Sequence, residues 1–178
     1  MINHHDSPTH CLPPEALAAV ASHLGANASL ITATHVCHFW RTTLLSSPRL
    51  WSHLDFKNEE RARVFLGRSK STPLGINLTG ACGPSEVVRE LLNEIATRVT
   101  TLWAGHGPFL DELLTHPMPK LEVLKINDSI RLPPKAPAYL PSLTSLVISG
   151  FDPLRFHAPV LTSFHLTHDT ISKSWKIV

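Results

Sequence analysis

Apolar residues in the first third of the chain recur at helical spacing, and proline, serine and glycine divide them into three short helices. The stretch "LPPEALAAVASHLG" begins with prolines and a glutamate and ends on a glycine, which predicts the first helix. The second is predicted in "SLITATHV", with Ser29 as its N-cap, and the third from about His38 to Leu45. The alternation in "LWSHLDF" then predicts the start of a β-strand.

The middle of the chain predicts two more helices with a strand between them. "NEERARVFLGRSK" is typical of a helix that Asn58 caps, and "PLGINLTG" predicts a short strand that carries Ile76 and Leu78. "SEVVRELLNEIATR" predicts an amphipathic helix. We expect its inner face to consist of Val88, Leu91, Leu92 and Ile95.

The rest of the chain repeats one pattern. "PKLEVLKI", "PSLTSLVI" and "PVLTSFHL" share the form P-x-L-x-x-Φ-x-Φ, in which Φ is apolar, and "RVTTLWA" fits the same frame without the proline. The equivalent positions Val99, Leu121, Leu143 and Leu161 lie 22, 22 and 18 residues apart. Periods of about 20–29 with this leucine spacing indicate leucine-rich repeats. We therefore expect parallel strands that begin near these residues and stack in a curved right-handed solenoid. The alternative, unrelated β-hairpins, fits less well because the intervals are too long for tight hairpin loops.

The stretch "HVCHFWRTTLLSSPRLWSHLDF" carries its apolar residues in adjacent pairs. Neighbouring residues on a helix lie about 100° apart, so pairs make the apolar stripe wider than one buried face requires. A unit of three short helices is too small to cover such a stripe internally. We expect the repeats that follow to cover part of the surplus and another protein to cover the rest; the alternative is that the repeats cover all of it.

Composition and charge exclude several partners and compartments. The chain is 43% hydrophobic and 17% charged, with a formal net charge of +2, and it has no basic stripe. We therefore predict no nucleic-acid partner and no membrane partner. The N-terminus lacks a signal-peptide core, no run of about 18 apolar residues occurs, and the three cysteines form no paired motif. These features favour an intracellular protein, cytoplasmic or nuclear.

Candidate chemistry is sparse. The pairs His35-x-x-His38 and His165-x-x-His168 have no cysteine or carboxylate at ligand spacing, so we predict no metal site. Asp111-Glu112 is expected to open a short helix, where acidic residues stabilise the helix end. The chain contains no nucleophile elbow, phosphate-binding loop or zinc-protease motif. We predict no cofactor and no enzymatic activity.

"LPPEALAAVASHL" and "SLITATHVCHFWRTTLLSSPRLWSHLDF" together resemble an F-box, in the form that is frequent in fungal F-box-like proteins. That family usually places leucine-rich repeats after the F-box, as the repeat pattern does here. The expected fold is α/β: a three-helix F-box and then a short, irregular leucine-rich-repeat solenoid with parallel strands. The expected parts are a disordered N-terminus over 1–10, the F-box over 11–56 and the repeat domain over 57–178.

The resemblance implies a substrate receptor of a Skp–cullin–F-box ubiquitin ligase. The F-box would dock on the Skp-type adaptor, and the repeats would capture a protein substrate. By position, ten residues would lie on or just beneath the adaptor contact: Leu12, Pro13, Leu17, Val20, Leu24, Val36, Cys37, Trp40, Leu44 and Trp51. Some of these ten must belong to the F-box core instead, a division that the sequence does not make. His38 and Phe39 depart from the family pattern, which more often has a basic or polar residue before the tryptophan. Ala18 and Ala19 are smaller than the residues often found there, which implies somewhat weaker adaptor binding.

The outward positions of the repeat strands are the candidate substrate surface. The repeat frame places Lys125, Val147 and His165 in one column, with Val123 in the next. A solvated strand face is the alternative. The last stretch, "HDTISKSWKIV", has no recognisable polar cap, so we expect a short member of its class, a fragment or a truncated product. A protein-interaction scaffold that does not join a ligase, or an inactive truncated receptor, is therefore the alternative function.

Overall fold

Helices form the first part of the fold, and β-strands form most of the rest. The computed structural model describes residues 12–24, 27–79, 86–105, 116–127, 138–149, 156–168 and 171–176. The predicted disorder over 1–10 and the helix start at Asp111-Glu112 lie outside this part. The helices are α1 (Pro14–Ser22), α2 (Asn27–Ala33), α3 (His38–Leu45), α4 (Glu59–Ser69) and α5 (Glu86–Ile95). Two 3₁₀ turns follow α3 and α5, at Pro48–Trp51 and Ala96–Arg98.

The described strands form one large sheet and one small one. They are β1 (His53–Asp55), β2 (Leu74–Asn77), β3 (Val99–Ala104), β4 (Val123–Ile126), β5 (Ala138–Tyr139), β6 (Ser145–Ser149), β7 (Phe156–His157), β8 (Ser163–His168) and β9 (Ile171–Lys176). The large sheet has the order β1-β2-β3-β4-β6-β8-β9, and its first six strands are parallel. β5 and β7 pair separately. The mixed α/β architecture is thus as predicted, while the right-handed solenoid stays a prediction.

Local sequence explains the helix boundaries. α1 begins at Pro14, whose missing N–H and fixed φ suit the first helical position. The predicted cap of α4 is confirmed, because Asn58 Oδ1 accepts a 2.9 Å hydrogen bond from the Arg61 N–H. The predicted cap of α2 is wrong: Ser29 lies inside the helix, which already begins at Asn27. α2 also ends at Ala33, so Val36 lies in the following turn and not on the helix face.

The proline of each repeat belongs to a turn that precedes the strand. The N–H groups of Leu121, Leu143 and Leu161 donate to the carbonyls three residues earlier, at 3.2, 3.3 and 3.2 Å. Proline stands second in each turn, where its fixed φ is favoured. The repeat leucine therefore closes the turn, and the strands begin two residues later than the leucines from which we predicted them.

The strand register gives the four repeats a common core. Leu102 lies opposite Leu124, and Leu124 lies opposite Leu146, as the sequence frame predicts. All three are at most 2% exposed. Alternate residues of a strand face opposite sides of the sheet, so one face is buried and the other carries Thr101, Val123 and their neighbours outward. On α5, Ile95 is buried and Leu91 half-buried, while the side chains of Val88 and Leu92 lie outside the described part.

β9 ends the parallel array. It pairs antiparallel with β8, from Ser163 opposite Lys176 to His168 opposite Ile171. The sequence offers no recognisable cap at this place, because a reversed strand leaves no signature in the repeat pattern.

One tryptophan joins the helical part to the sheet part. Trp51 is fully buried, and its indole N–H donates a 2.9 Å hydrogen bond to the Leu44 carbonyl at the end of α3. Its ring meets Phe65 of α4 edge-on, with centroids 4.8 Å apart. The Arg68 guanidinium lies 4.4 Å from the ring centroid. The three helices and the sheet therefore share one continuous core.

We predict that a charge inside this core unfolds the protein, whereas the same charge on the outer face does not. Leu124 is fully buried, and its neighbour Lys125 is exposed on the same strand. Leu124→Asp would bury an unpaired carboxylate and should lower the free energy of unfolding by at least about 4 kcal/mol. Lys125→Asp should cost less than about 1 kcal/mol. Urea unfolding followed by circular dichroism measures both, and equal stability of the two variants would contradict the register.

Candidate functional site

Four of the ten residues predicted at the adaptor contact are exposed. Leu12 is 39% exposed, Val20 54% and Val36 56%, and Pro13 is also exposed. Leu12 and Pro13 precede α1, Val20 lies on α1, and Val36 lies in the turn between α2 and α3. We call these four residues the exposed apolar set. Large apolar side chains left in water on a unit this small are typical of a contact surface.

Three of the ten residues belong to the core. Leu17, Leu44 and Trp51 are fully buried, so a partner cannot touch them without unfolding the helices. Leu17 on α1 and Leu44 on α3 lie in the same cluster of buried side chains as Trp51. Their role is to fix the relative positions of the helices that carry the exposed apolar set.

Two further residues are half-buried. Cys37 is the residue before α3, where its extended backbone starts the helix without a side-chain cap, and it is a free thiol. Trp40 packs against the core from α3, and its indole N–H is buried with no hydrogen-bond acceptor among the described residues. A buried donor without an acceptor costs about 1–3 kcal/mol, which leaves this part of α3 less stable than a fully bonded helix face.

Leu24, the tenth residue, lines a cleft between the helices and the large sheet. The cleft encloses about 350 Å³. Its walls combine the end of α1, the start of α2, the 3₁₀ turn and two strands. They consist of Ala21, Ser22, Leu24, Asn27, Leu30, Arg49, Leu50, His53 and Trp103. Leu24 therefore faces the repeat region. The sequence places it at the adaptor contact because the sequence pattern does not show which side of the helices a residue faces.

A glycine in β2 leaves space in which two aromatic rings of the cleft meet. His53 on β1 and Trp103 on β3 meet across β2, with ring centroids 4.9 Å apart. The residue of β2 opposite His53 is Gly75. A Cβ atom on Gly75 would lie 3.0 Å from His53 Nδ1, closer than packed side chains normally approach. Glycine at this position thus leaves room for the histidine ring.

The environment of the two rings is partly polar. The Asn27 side-chain amide donates a 3.4 Å hydrogen bond to the His53 carbonyl. Burial lowers the pKa of His53 below its ordinary value, and the negative charge of Asp55 opposes that shift. The Trp103 indole N–H is buried and has no hydrogen-bond acceptor among the described residues. Lys125 Nζ lies 5.3 Å from the centroid of the Trp103 ring.

The candidate substrate residues lie on the outer face of the sheet. Lys125 pairs with Val147, and Val147 with His165, so the predicted column exists in the register. Lys125 and His165 are exposed, and Val123 and Val147 are half-buried. Sequence reasoning missed Trp103, which pairs with Lys125 and extends the column by one strand. The signal is present in the sequence, because "RVTTLWA" fits the same repeat frame.

The described residues hold neither a cluster of metal ligands nor a helix that could cross a membrane. No group of three or more histidine, cysteine, aspartate or glutamate side chains there is arranged to hold a metal ion. Within the same residues, no helix combines the length and the hydropathy that crossing a membrane requires.

The comparisons with known proteins identify the helical part. Residues 9–57 match the F-box-like family, so the chain carries an F-box-like domain there. This agrees with the predicted F-box over 11–56. The match ends before the repeat strands, and the leucine-rich-repeat and fungal resemblances stay predictions. No curated protein matches the chain.

We predict that His53 makes the protein less stable in mild acid. Because its pKa is lowered in the folded state, the unfolded chain binds the proton more readily. The stabilisation is present above the unfolded pKa of about 6.5 and is lost as the pH falls below it. His53→Gln removes this contribution, so the variant should lose less stability than wild type between about pH 7.5 and about pH 5.5. Urea unfolding at both pH values measures the difference, and identical losses would contradict the assignment.

Proposed function

We propose that the chain is a substrate-recognition subunit of a Skp–cullin–F-box ubiquitin ligase. The observation that carries the proposal is the F-box-like domain at residues 9–57, because F-box domains typically bind Skp-type adaptors. In this role the chain performs no chemistry. It holds a substrate near the ligase, in the cytoplasm or the nucleus.

The exposed apolar set supports adaptor docking. Val20 and Val36 are each more than half exposed, at 54% and 56%. Burying them against a partner removes apolar surface from water, which contributes roughly 25 cal/mol for each Å² covered. Leu17 on α1 and Leu44 on α3 are buried in the core, so these two helices are fixed before binding and lose little conformational entropy on binding.

The repeat-like region supports substrate capture through its position. The outer face of the large sheet carries Trp103, Lys125, Val147 and His165 in one row across four strands. We propose the curved solenoid of leucine-rich repeats for this region, with the outer strand face as the surface that holds the substrate. The shared core around Trp51 would hold that surface in a constant position relative to the adaptor.

A second role differs from the first in one measurable respect. A protein-interaction scaffold outside the ligase, or an inactive receptor, would keep both surfaces but would not join a cullin complex. Co-purification of the chain with both a Skp-type adaptor and a cullin supports the ligase role. Binding of partners without either protein supports the scaffold.

Introducing charge into the exposed apolar set should abolish adaptor binding. Val20→Glu with Val36→Glu would place two carboxylates in the apolar contact and should raise the Kd for the adaptor at least about 100-fold. Val64→Glu is the matched control, because Val64 is 49% exposed but lies on α4, outside the F-box-like match. Surface plasmon resonance measures all three proteins, and circular dichroism checks that each is folded.

A milder variant tests the same contact without adding charge. Leu12→Ala with Pro13→Ala removes apolar surface at the edge of the segment and should weaken adaptor binding while leaving the fold intact. Wild-type affinity in both double variants would show that the adaptor, if it binds, uses another surface.

The substrate face calls for a separate test. Val123→Glu with Val147→Glu changes two half-buried positions on the outer face and should spare the core, since Leu124 and Leu146 point the other way. We expect this variant to lose most of the partners that proximity labelling finds for wild type, while adaptor binding stays unchanged. An unchanged set of partners would move the substrate site to the connecting segments.

A further inference from the structure

The cleft between the helices and the sheet has an unusual combination of walls. Leu24, Leu30 and Leu50 contribute apolar side chains, and Trp103 contributes an aromatic one. Arg49 contributes a cation. None of the described residues that line the cleft is acidic, and no carboxylate of the described residues lies within ion-pair distance of Arg49. The cleft therefore offers an apolar interior with positive charge at its wall.

One polar group of the cleft, the buried Trp103 indole N–H, is a donor that lacks an acceptor among the described residues, while the Ser22 hydroxyl donates to the Ala19 carbonyl. An unsatisfied buried donor is unfavourable until an acceptor reaches it. The Asn27 amide nitrogen is already bonded to the His53 carbonyl. A ligand that suits these walls brings an acceptor with negative charge, beside an apolar group that fills the space.

The size and position of the cleft indicate that the ligand is a side chain of a polypeptide and not a free molecule. About 350 Å³ is at the small end of pockets that hold free ligands, and it is ample for one large side chain. The Trp103 ring that forms one wall also lies beneath the Lys125 ammonium, 5.3 Å from it. A chain leaving the cleft over Trp103 would meet a second cation on the outer face of the sheet.

We infer that the cleft binds an acidic segment of a protein partner, with one large apolar side chain inserted beside Leu24 and Trp103. An adjacent carboxylate pairs with Arg49 beside the Trp103 ring. A further carboxylate on the segment meets Lys125. The inference rests on the proposed function and specifies it, because this segment would be the recognised part of the substrate.

Three blocked pentapeptides, acetylated and amidated, test the inference on the full chain. They are Gly-Glu-Phe-Glu-Gly, Gly-Gln-Phe-Gln-Gly and Gly-Glu-Ala-Glu-Gly. Two-dimensional ¹H–¹⁵N NMR reports binding through the Trp103 indole signal, assigned by its loss in Trp103→Phe. We expect the Glu-Phe-Glu peptide to shift this signal and to bind at least about tenfold more tightly than either other peptide, as a charged hydrogen bond and a buried aromatic ring each predict.

Two variants and a control locate the contact. Arg49→Gln and Trp103→Phe should each weaken the Glu-Phe-Glu peptide about tenfold, measured from backbone amide shifts of cleft residues. Arg63→Gln removes the same charge from an exposed position on α4 and should leave the affinity unchanged. Equal affinity for the glutamate and glutamine peptides, or an equal effect of Arg49→Gln and Arg63→Gln, would overturn the inference.

Two further measurements distinguish a protein segment from a free small acid, and the cleft site from the ligase role. If 3-phenylpropionate binds as tightly as the Glu-Phe-Glu peptide, the site takes a free small acid and the assignment to a protein segment is overturned. Adaptor binding is measured on the Arg49→Gln protein and should equal that of wild type. Peptide binding without adaptor binding would leave the cleft site standing and contradict the ligase role, whereas the reverse result would contradict the cleft site alone.

Discussion

The burial of Trp51 is the interaction on which the rest of the structure depends. Three helices of this length do not form an independent core, because too little of their surface is removed from water. Trp51 supplies a large apolar surface at the point where the chain leaves the helices and enters the sheet. Its indole N–H donates a hydrogen bond to the Leu44 carbonyl, so the ring is buried without an unsatisfied donor. Phe65 and Arg68 then cover the ring from α4. The F-box-like helices thus owe part of their stability to residues that follow the family match.

This arrangement accounts for the apolar pairs in the stretch around Trp51. In the pair Leu50-Trp51, Trp51 enters the shared core and Leu50 lines the cleft. In the pair Val36-Cys37, Val36 faces water and Cys37 is half-buried. The surplus apolar surface therefore has two parts. The sheet covers one part, and Val36 remains uncovered within the described residues, where we propose that the adaptor covers it.

The parts of the fold that depend on regular spacing of apolar residues or on a local cap could be predicted from the sequence. The spacing of Leu121, Leu143 and Leu161 predicts the register, because a one-residue shift would turn Leu124 and Leu146 out of the core. Asn58 predicts the start of α4 for an equally local reason.

Burial of individual F-box residues could not be predicted, since it depends on which helices pack together. Val20 and Leu17 lie on the same helix, yet one is exposed and the other fully buried. The contact between His53 and Trp103 could not be predicted, because the room for the His53 ring depends on the absence of a side chain at Gly75, which matters only once β1 and β3 are known to flank β2.

Because of the proline turns, the register of the strands does not depend on the length of the segment that connects them. The segments from Leu121 to Leu143 and from Leu143 to Leu161 span 22 and 18 residues, yet both return the chain to the same register. The turn sets where a strand starts, and the entropy of closing a loop changes little when four residues are added or removed. Insertions and deletions in the connecting segments should therefore be tolerated during evolution. The outer columns of the sheet would keep their alignment while the surface between the strands diversifies.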